Sequence, residues 1–215
     1  MVDDGWNNYT RGTGSLDPLV RGRPVVFKDG EYFVDGEPLA PDGQYVVLRL
    51  IERWTKWPEG QPPEHVVAGP GQRRLRREEL GDTNEKLWKP SKYNTRERVD
   101  PWKDGRNVWL MDAVSGELLT FQTESGGGRV AVEKLGDQIA HERANGQPSA
   151  VPVVELETAD YGATTRPRLA VTKFLPSAPA NLQLEPLKLP PRKQLPPPTD
   201  DEGGDSSPID DDIPF

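Results

Sequence analysis

Between Pro176 and Thr199, eight of 24 positions are proline. Proline fixes φ and donates no backbone hydrogen bond, so this run can enter neither a helix interior nor a central strand. It reads as an extended, semi-rigid spacer. Residues 200–215 then hold seven acids and no base. A chain of 215 residues therefore gives up a linker (176–199) and an acidic tip (200–215) before any core is built. Residues 1–23, rich in Gly, Asn and Asp, read as a flexible arm, which leaves residues 24–175 as the folded domain. Only 33% of residues are apolar and 29% are charged, too polar a mixture for one core spanning the whole chain.

Several classes are excluded. No stretch approaches 18 consecutive apolar residues, so a membrane-spanning helix is not expected. Met1 is followed by Val-Asp-Asp-Gly rather than by a basic and then an apolar segment, so no secretory signal is read. The absence of cysteine removes disulfides and thiolate metal sites, and suits a reducing cytoplasm.

Within 24–175 the strand signals are strong. Pro24–Lys28 and Glu31–Val34 flank Asp29-Gly30, a hairpin signature. Tyr45–Trp54 is a long β-branched and aromatic run. Asn107–Asp112 and Glu117–Thr123 flank a turn containing Ser115-Gly116. Val151–Thr158 and Arg168–Leu175 complete the set. One helix is predicted from after Gly126-Gly127-Gly128 to about Ala144, with Val132, Leu135 and Ile139 on one face and Asn145-Gly146 as its stop. With the first hairpin set aside, the order is strand, long insertion, strand, strand, helix, strand, strand. That is the element order of an OB-fold, a five-stranded barrel with a helix between strands 3 and 4. The expectation is a mainly β, OB-like barrel with an extra N-terminal hairpin, a long insertion between strands 1 and 2, and a disordered C-terminal tail.

The insertion, residues 55–106, interleaves aromatics with cations. The candidate contacts are Trp54, Lys56, Trp57, Arg73, Arg76, Arg77, Trp88, Lys89, Lys92, Tyr93, Arg98, Trp102, Lys103 and Arg106. Residues 49–106 carry 14 Lys/Arg against 10 Asp/Glu, although the whole chain has a net charge of −8. Cations beside exposed rings suit single-stranded nucleic acid, because every base has a face to stack and every phosphate needs counter-charge. Tyr161 and Arg166, expected in the loop between strands 4 and 5, repeat the pattern. For Trp57, Trp88 and Trp102, base stacking and local packing both account for the sequence. Trp54 and Trp109, within strands, fit a core, and Arg74–Glu78 fits a solvated helical pair.

No enzyme is expected. Ser125-Gly-Gly-Gly-Arg129 resembles a phosphate-cradling loop, but no Gly-Lys-Ser/Thr follows. His65 and His141 share no metal-ligand spacing, and no nucleophile elbow is present. No cofactor and no metal are implied.

The chain ends Asp210-Asp211-Asp212-Ile213-Pro214-Phe215. This ending resembles the bacterial single-stranded DNA-binding protein family, whose members close with an acidic tip and Ile-Pro-Phe behind a flexible linker. The resemblance implies a tip that recruits replication, recombination and repair proteins. Phe215 would be the anchor, its ring and carboxylate entering a basic-rimmed apolar pocket on the partner. Pro214 and Ile213 would give apolar support, and Asp210, Asp211 and Asp212 would steer. The domain itself departs from the family's barrel motifs, and the insertion is foreign to it. The whole reads as a divergent member, phage-encoded or chromosomal, at work in the cytoplasm of a bacterial host. The expected partners are single-stranded DNA and host or phage replication, recombination and repair proteins, with no membrane. A rival reading is an adaptor or decoy that carries the tip but binds no DNA. A third is a recombination or repair enzyme localised by the tip.

Overall fold

A computed structural model describes residues 19–40, 42–59, 61–68, 73–91, 93–162 and 164–179. Residues 1–18 of the expected arm, Lys92, the linker from residue 180 and the whole acidic tip, including Asp210, Asp211, Asp212, Ile213, Pro214 and Phe215, lie outside the described residues.

The protein is mainly β with one helix. The strands are β1 (Arg23–Lys28), β2 (Glu31–Val34), β3 (Glu37–Pro38), β4 (Gln44–Lys56), β5 (Glu64–Val67), β6 (Lys89–Pro90), β7 (Arg98–Val99), β8 (Trp102–Asp112), β9 (Leu118–Thr123), β10 (Val151–Tyr161) and β11 (Thr164–Leu175), and the helix is α1 (Gly126–Ala144). Two short 3₁₀ turns, Arg77–Leu80 and Glu85–Leu87, lie in the insertion. The β1–β2 turn uses Asp29 at φ 52° and Gly30 at φ 88°, the pair of positive φ values that a two-residue hairpin of matching twist needs.

Nine strands form one curled, open half-barrel sheet in the order β11-β10-β4-β8-β9-β1-β2-β3, with β5 paired to β4. The five strands expected in the barrel are β4, β8, β9, β10 and β11. They pair antiparallel as β4–β8, β8–β9, β4–β10 and β10–β11. The N-terminal hairpin is no appendage. Its β1 runs parallel to β9, from Arg23 opposite Leu119 to Val25 opposite Phe121, and takes the edge at which β9 could otherwise have closed the ring. The remaining gap is bridged by a side chain: the buried Tyr32 hydroxyl donates toward Glu157 O and Arg168 O (3.1 Å each) and accepts from Arg168 N (3.1 Å). Burial pushes the Tyr32 hydroxyl well above its ordinary pKa, so it stays protonated and can donate.

Helix α1 fills the concave side. Ala131, Val132, Leu135 and Ile139 join Val25, Tyr45, Val47, Val108, Leu110, Phe121, Val154 and Leu169 in one core. The helix starts earlier than expected. Ser125 is its N-cap, its hydroxyl accepting from Gly128 N at 3.1 Å, and the three glycines form the first turn. Glycine at 128 is a packing requirement, since a Cβ there would fall 1.9 Å from Thr123 Oγ1. No helix among the described residues is long and apolar enough to cross a membrane.

Candidate nucleic-acid interface

The insertion folds back on itself. β5 pairs with the end of β4, from Arg53 opposite Val67 to Lys56 opposite Glu64, and β6 pairs with β7. Three indoles turn inward, and each spends its N–H internally. Trp54 Nε1 donates to Leu75 O (2.9 Å), Trp88 Nε1 to Asp82 O (2.6 Å), and Trp102 Nε1 to Asp82 Oδ2 (3.0 Å). Each also carries a cation: Arg74 4.4 Å from the Trp54 centroid, Arg77 5.5 Å from Trp88 and Lys56 5.8 Å from Trp102.

The same cations are paired with acids. Lys56 meets Asp82 at 2.8 Å, Arg77 meets Asp100 at 2.5 Å, and Lys89 meets Glu59 at 2.7 Å. Arg73 pairs with Glu79; that contact, with the Arg76 backbone N–H at 2.6 Å, holds the Glu79 carboxyl down at about 2. Local packing therefore accounts for Trp54, Trp88 and Trp102. The large apolar and aromatic residues the insertion still shows to solvent are Trp57 (51% exposed), Tyr93 (100%) and Leu87 (81%), and Arg73, Arg76, Lys86, Lys89, Arg96 and Arg98 are exposed as well. Arg98 also donates to Trp88 O at 3.0 Å.

On the α1 side of β8, Asp104 is a hub. It accepts from Arg74 of the insertion, from Arg106 beside it, and from Arg129 of α1 at 2.8 Å. Burial pushes the Asp104 carboxyl up, but the Arg74 and Arg106 guanidiniums outweigh burial and leave it below its usual range. Arg106 also meets Glu133 at 3.0 Å and Glu52 at 3.6 Å, and its side chain is only 5% exposed. It is structural rather than available to a ligand. Tyr161 and Arg166 are not in a loop. β10 and β11 form a tight hairpin in which Tyr161 opposes Thr164, and Arg166 sits on β11, 4.8 Å from the Tyr161 ring.

The opposite, outer face of β4, β8 and β9 gathers a second set of residues. A register shift between Val47 and Arg49 resets the alternation of β4. Tyr45, Val47 and Leu50 pack on the core, while Ile51 packs with Leu19 and Trp109. Arg49, Arg53 and Thr55 share the face of Ile51. Arg49 opposes Trp109, which opposes Thr120. Residues 19–21 cross this row. Leu19, fully buried, accepts at its carbonyl from Trp109 Nε1 (2.8 Å) and Asn107 Nδ2 (3.0 Å), and Arg21 N donates to Thr120 Oγ1 (2.8 Å). The guanidiniums of Arg21 and Arg49 each lie 5.4 Å from the Trp109 centroid. Arg49 has its pKa lowered by burial alone.

Farther along the face, Arg53 donates to Asn107 Oδ1 at 2.8 Å, to the Thr55 hydroxyl, and to Glu124 at 3.3 Å. Gly105 opposes it, where a Cβ would come within 3.0 Å of Arg53 Cζ. Thr55 opposes Lys103, and Trp57 follows the end of β4. Of the four cations on this face (Arg21, Arg49, Arg53 and Lys103), only Arg53 has an acid partner among the described residues. The stretch from Arg49 to Trp57 spans roughly 27 Å at about 3.4 Å per residue.

Sequence reasoning found Trp57 and Lys103 and missed Arg21, Arg49 and Arg53. Arg21 fell within the expected arm. Arg49 lies in a strand run without a neighbouring tryptophan, Arg53 adjoins Trp54 and Lys56 but was passed over for them, and the register shift that aligns the two leaves no mark in residue type. Among the described residues no group of three or more His, Asp or Glu could hold a metal ion. No protein-family model matches this chain, and neither a curated protein nor a solved structure is significantly similar to it.

Proposed function

We propose that this protein binds single-stranded DNA without sequence preference over the outer face of β4, β8 and β9, and recruits replication, recombination and repair proteins through Asp210–Phe215. The observation that carries the DNA half is the row Arg21–Trp109–Arg49, extended by Lys103 and Trp57. Guanidiniums without acid partners, half-buried beside an indole, are ready to meet phosphates. In an OB-fold the corresponding sheet face takes oligonucleotides, and the strand order 5-4-1-2-3 with the helix between strands 3 and 4 supports that comparison. The exposed Trp57 offers a ring for a base, a contact worth about 1–3 kcal/mol. On this reading the chain is not an enzyme and requires no cofactor, and the tip keeps the role that its resemblance to the single-stranded DNA-binding protein family implies.

The adaptor reading draws on a specific observation: Trp54, Trp88 and Trp102 are satisfied internally, and much of the cationic charge of the insertion is paired. Titration with oligo-dT, followed by tryptophan emission, separates the two. The DNA-binding reading expects quenching and far weaker binding to duplex of the same length. The adaptor reading expects no change with either.

A further inference from the structure

We infer that the insertion grips double-stranded DNA at the point where it joins a single strand, so that the protein sits at junctions of single strand and duplex; this rests on the reading of the outer face as the single-strand site. Residues 73–98 carry nine Lys/Arg against five Asp/Glu. Arg76, Lys86, Arg96 and Arg98 are exposed, and none of the four forms an ion pair with an acid among the described residues. Beside this charge there is little to stack on. Trp54, Trp88 and Trp102 each spend the indole N–H internally. A single strand calls for rings as well as cations. A duplex keeps its bases stacked and paired, and contact with it regardless of sequence rests on its phosphates. Exposed cations without a row of open rings therefore fit a duplex backbone better than a second length of single strand.

The placement of this surface suits a junction. The row on the outer face ends where Trp57 follows β4. Two residues on, Glu59 meets Lys89 of β6 at 2.7 Å, which ties the β6–β7 hairpin to that end. Arg98 lies on the stem of the hairpin, opposite Pro90. Ser91 N donates to Glu97 O at 2.8 Å, closing a loop that carries Arg96 and the fully exposed Tyr93. A strand that leaves the outer face past Trp57 thus arrives at cations and one open ring. The cations take phosphates of the duplex. The Tyr93 ring caps the last base pair, whose outer face no neighbouring pair covers. A few phosphate contacts bind weakly on their own, with a Kd of about 0.1 mM at physiological salt. Joined to a single strand already held, the duplex is presented at an effective concentration of about 1 mM. The junction is then bound about tenfold more tightly than the single strand alone, while free duplex stays a poor ligand.

The test uses the full chain and labelled DNAs followed by fluorescence anisotropy: a blunt hairpin duplex, the same hairpin carrying an oligo-dT tail, and oligo-dT matched in nucleotide count to the tailed hairpin. The tailed hairpin should bind about tenfold more tightly than the matched oligo-dT. Arg76→Ala/Arg96→Ala/Arg98→Ala should erase that gain and leave oligo-dT affinity near wild type. Tyr93→Ala, at a fully exposed position, should reduce the gain with circular dichroism unchanged. A tailed hairpin bound no more tightly than the matched oligo-dT, a gain that survives the triple variant, or a blunt hairpin bound as tightly as the tailed one would each overturn the inference. Oligo-dT keeps the two readings apart. Normal oligo-dT binding without the gain overturns the junction inference alone, whereas no binding to oligo-dT overturns the outer-face reading and this inference with it.

Discussion

Replacing Asp104 by asparagine should loosen the insertion and the helix together. The carboxylate accepts from Arg74, Arg106 and Arg129, which come from three separate elements. Asparagine keeps the shape but leaves three guanidiniums facing a neutral amide. Removing one partner from a fully buried charge pair costs about 3–5 kcal/mol. Two features reduce that figure here. The Asp104 side chain is 18% exposed and Arg129 is 35% exposed, so water screens part of the loss. Glu52 and Glu133 also remain within 3.6 and 3.0 Å of Arg106. The expected destabilisation is about 2–3 kcal/mol, or a Tm lower by roughly 5–10 °C. The acid limb supplies a second reading. The folded-state pKa of Asp104 is depressed, so its contribution is fully present above the ordinary carboxylate value and is lost as pH falls through the folded value. Urea denaturation should therefore give wild type and Asp104→Asn stabilities that differ at pH 7 and begin to converge only once pH falls below the ordinary carboxylate range. A difference below about 0.5 kcal/mol at pH 7, or one that does not shrink in acid, would refute the account of Asp104 as a hub.

Three further outcomes are expected. Trp57→Ala should weaken oligo-dT binding by one stacked base, about 1–3 kcal/mol; unchanged affinity by fluorescence titration would remove Trp57 from the site. Deleting residues 200–215 should tighten DNA binding, most at low salt, because seven uncompensated acids no longer compete for the basic face and screening is least there; filter binding that shows weaker affinity would contradict this. Deleting Phe215, or adding one glycine after it, should abolish capture of replication or repair proteins from bacterial lysate with DNA affinity intact. Recovery of the same proteins by all three chains would reduce the tail to a solubilising tract.

Much of the architecture could be read from residue type because it is local. The Asp29-Gly30 hairpin, the β-branched run of β4, the turn at Ser115-Gly116 and the face of Val132, Leu135 and Ile139 each announce themselves within a few positions. The parallel pairing of β1 with β9 could not be read that way, since it joins Arg23 to Leu119 across β2, β3, β4, the insertion and β8. Nor could the fate of the insertion's charges. Arg74 meets Asp104 thirty residues away and Arg77 meets Asp100, contacts that a count of cations and rings along the chain does not contain. That count overstates the surface left open to a ligand, because a tryptophan beside a cation has the same sequence signature whether the pair faces a ligand or each other. The acidic tip is the reverse case: its reading rests on residue type, and residues 200–215 lie outside the described residues.

The central claim is that DNA runs over the outer sheet face rather than over the insertion. The most direct measurement is the salt dependence of oligo-dT binding by two variants of matched stability, Arg21→Ala/Arg49→Ala/Lys103→Ala and Arg76→Ala/Arg96→Ala/Arg98→Ala. Each lost phosphate contact should flatten the slope of log K against log salt by about 0.7. The outer-face variant should therefore lose about 2 from its slope and bind much more weakly, while the insertion variant stays near wild type. An unchanged slope for the outer-face variant, with the loss falling on the insertion variant instead, would contradict the account.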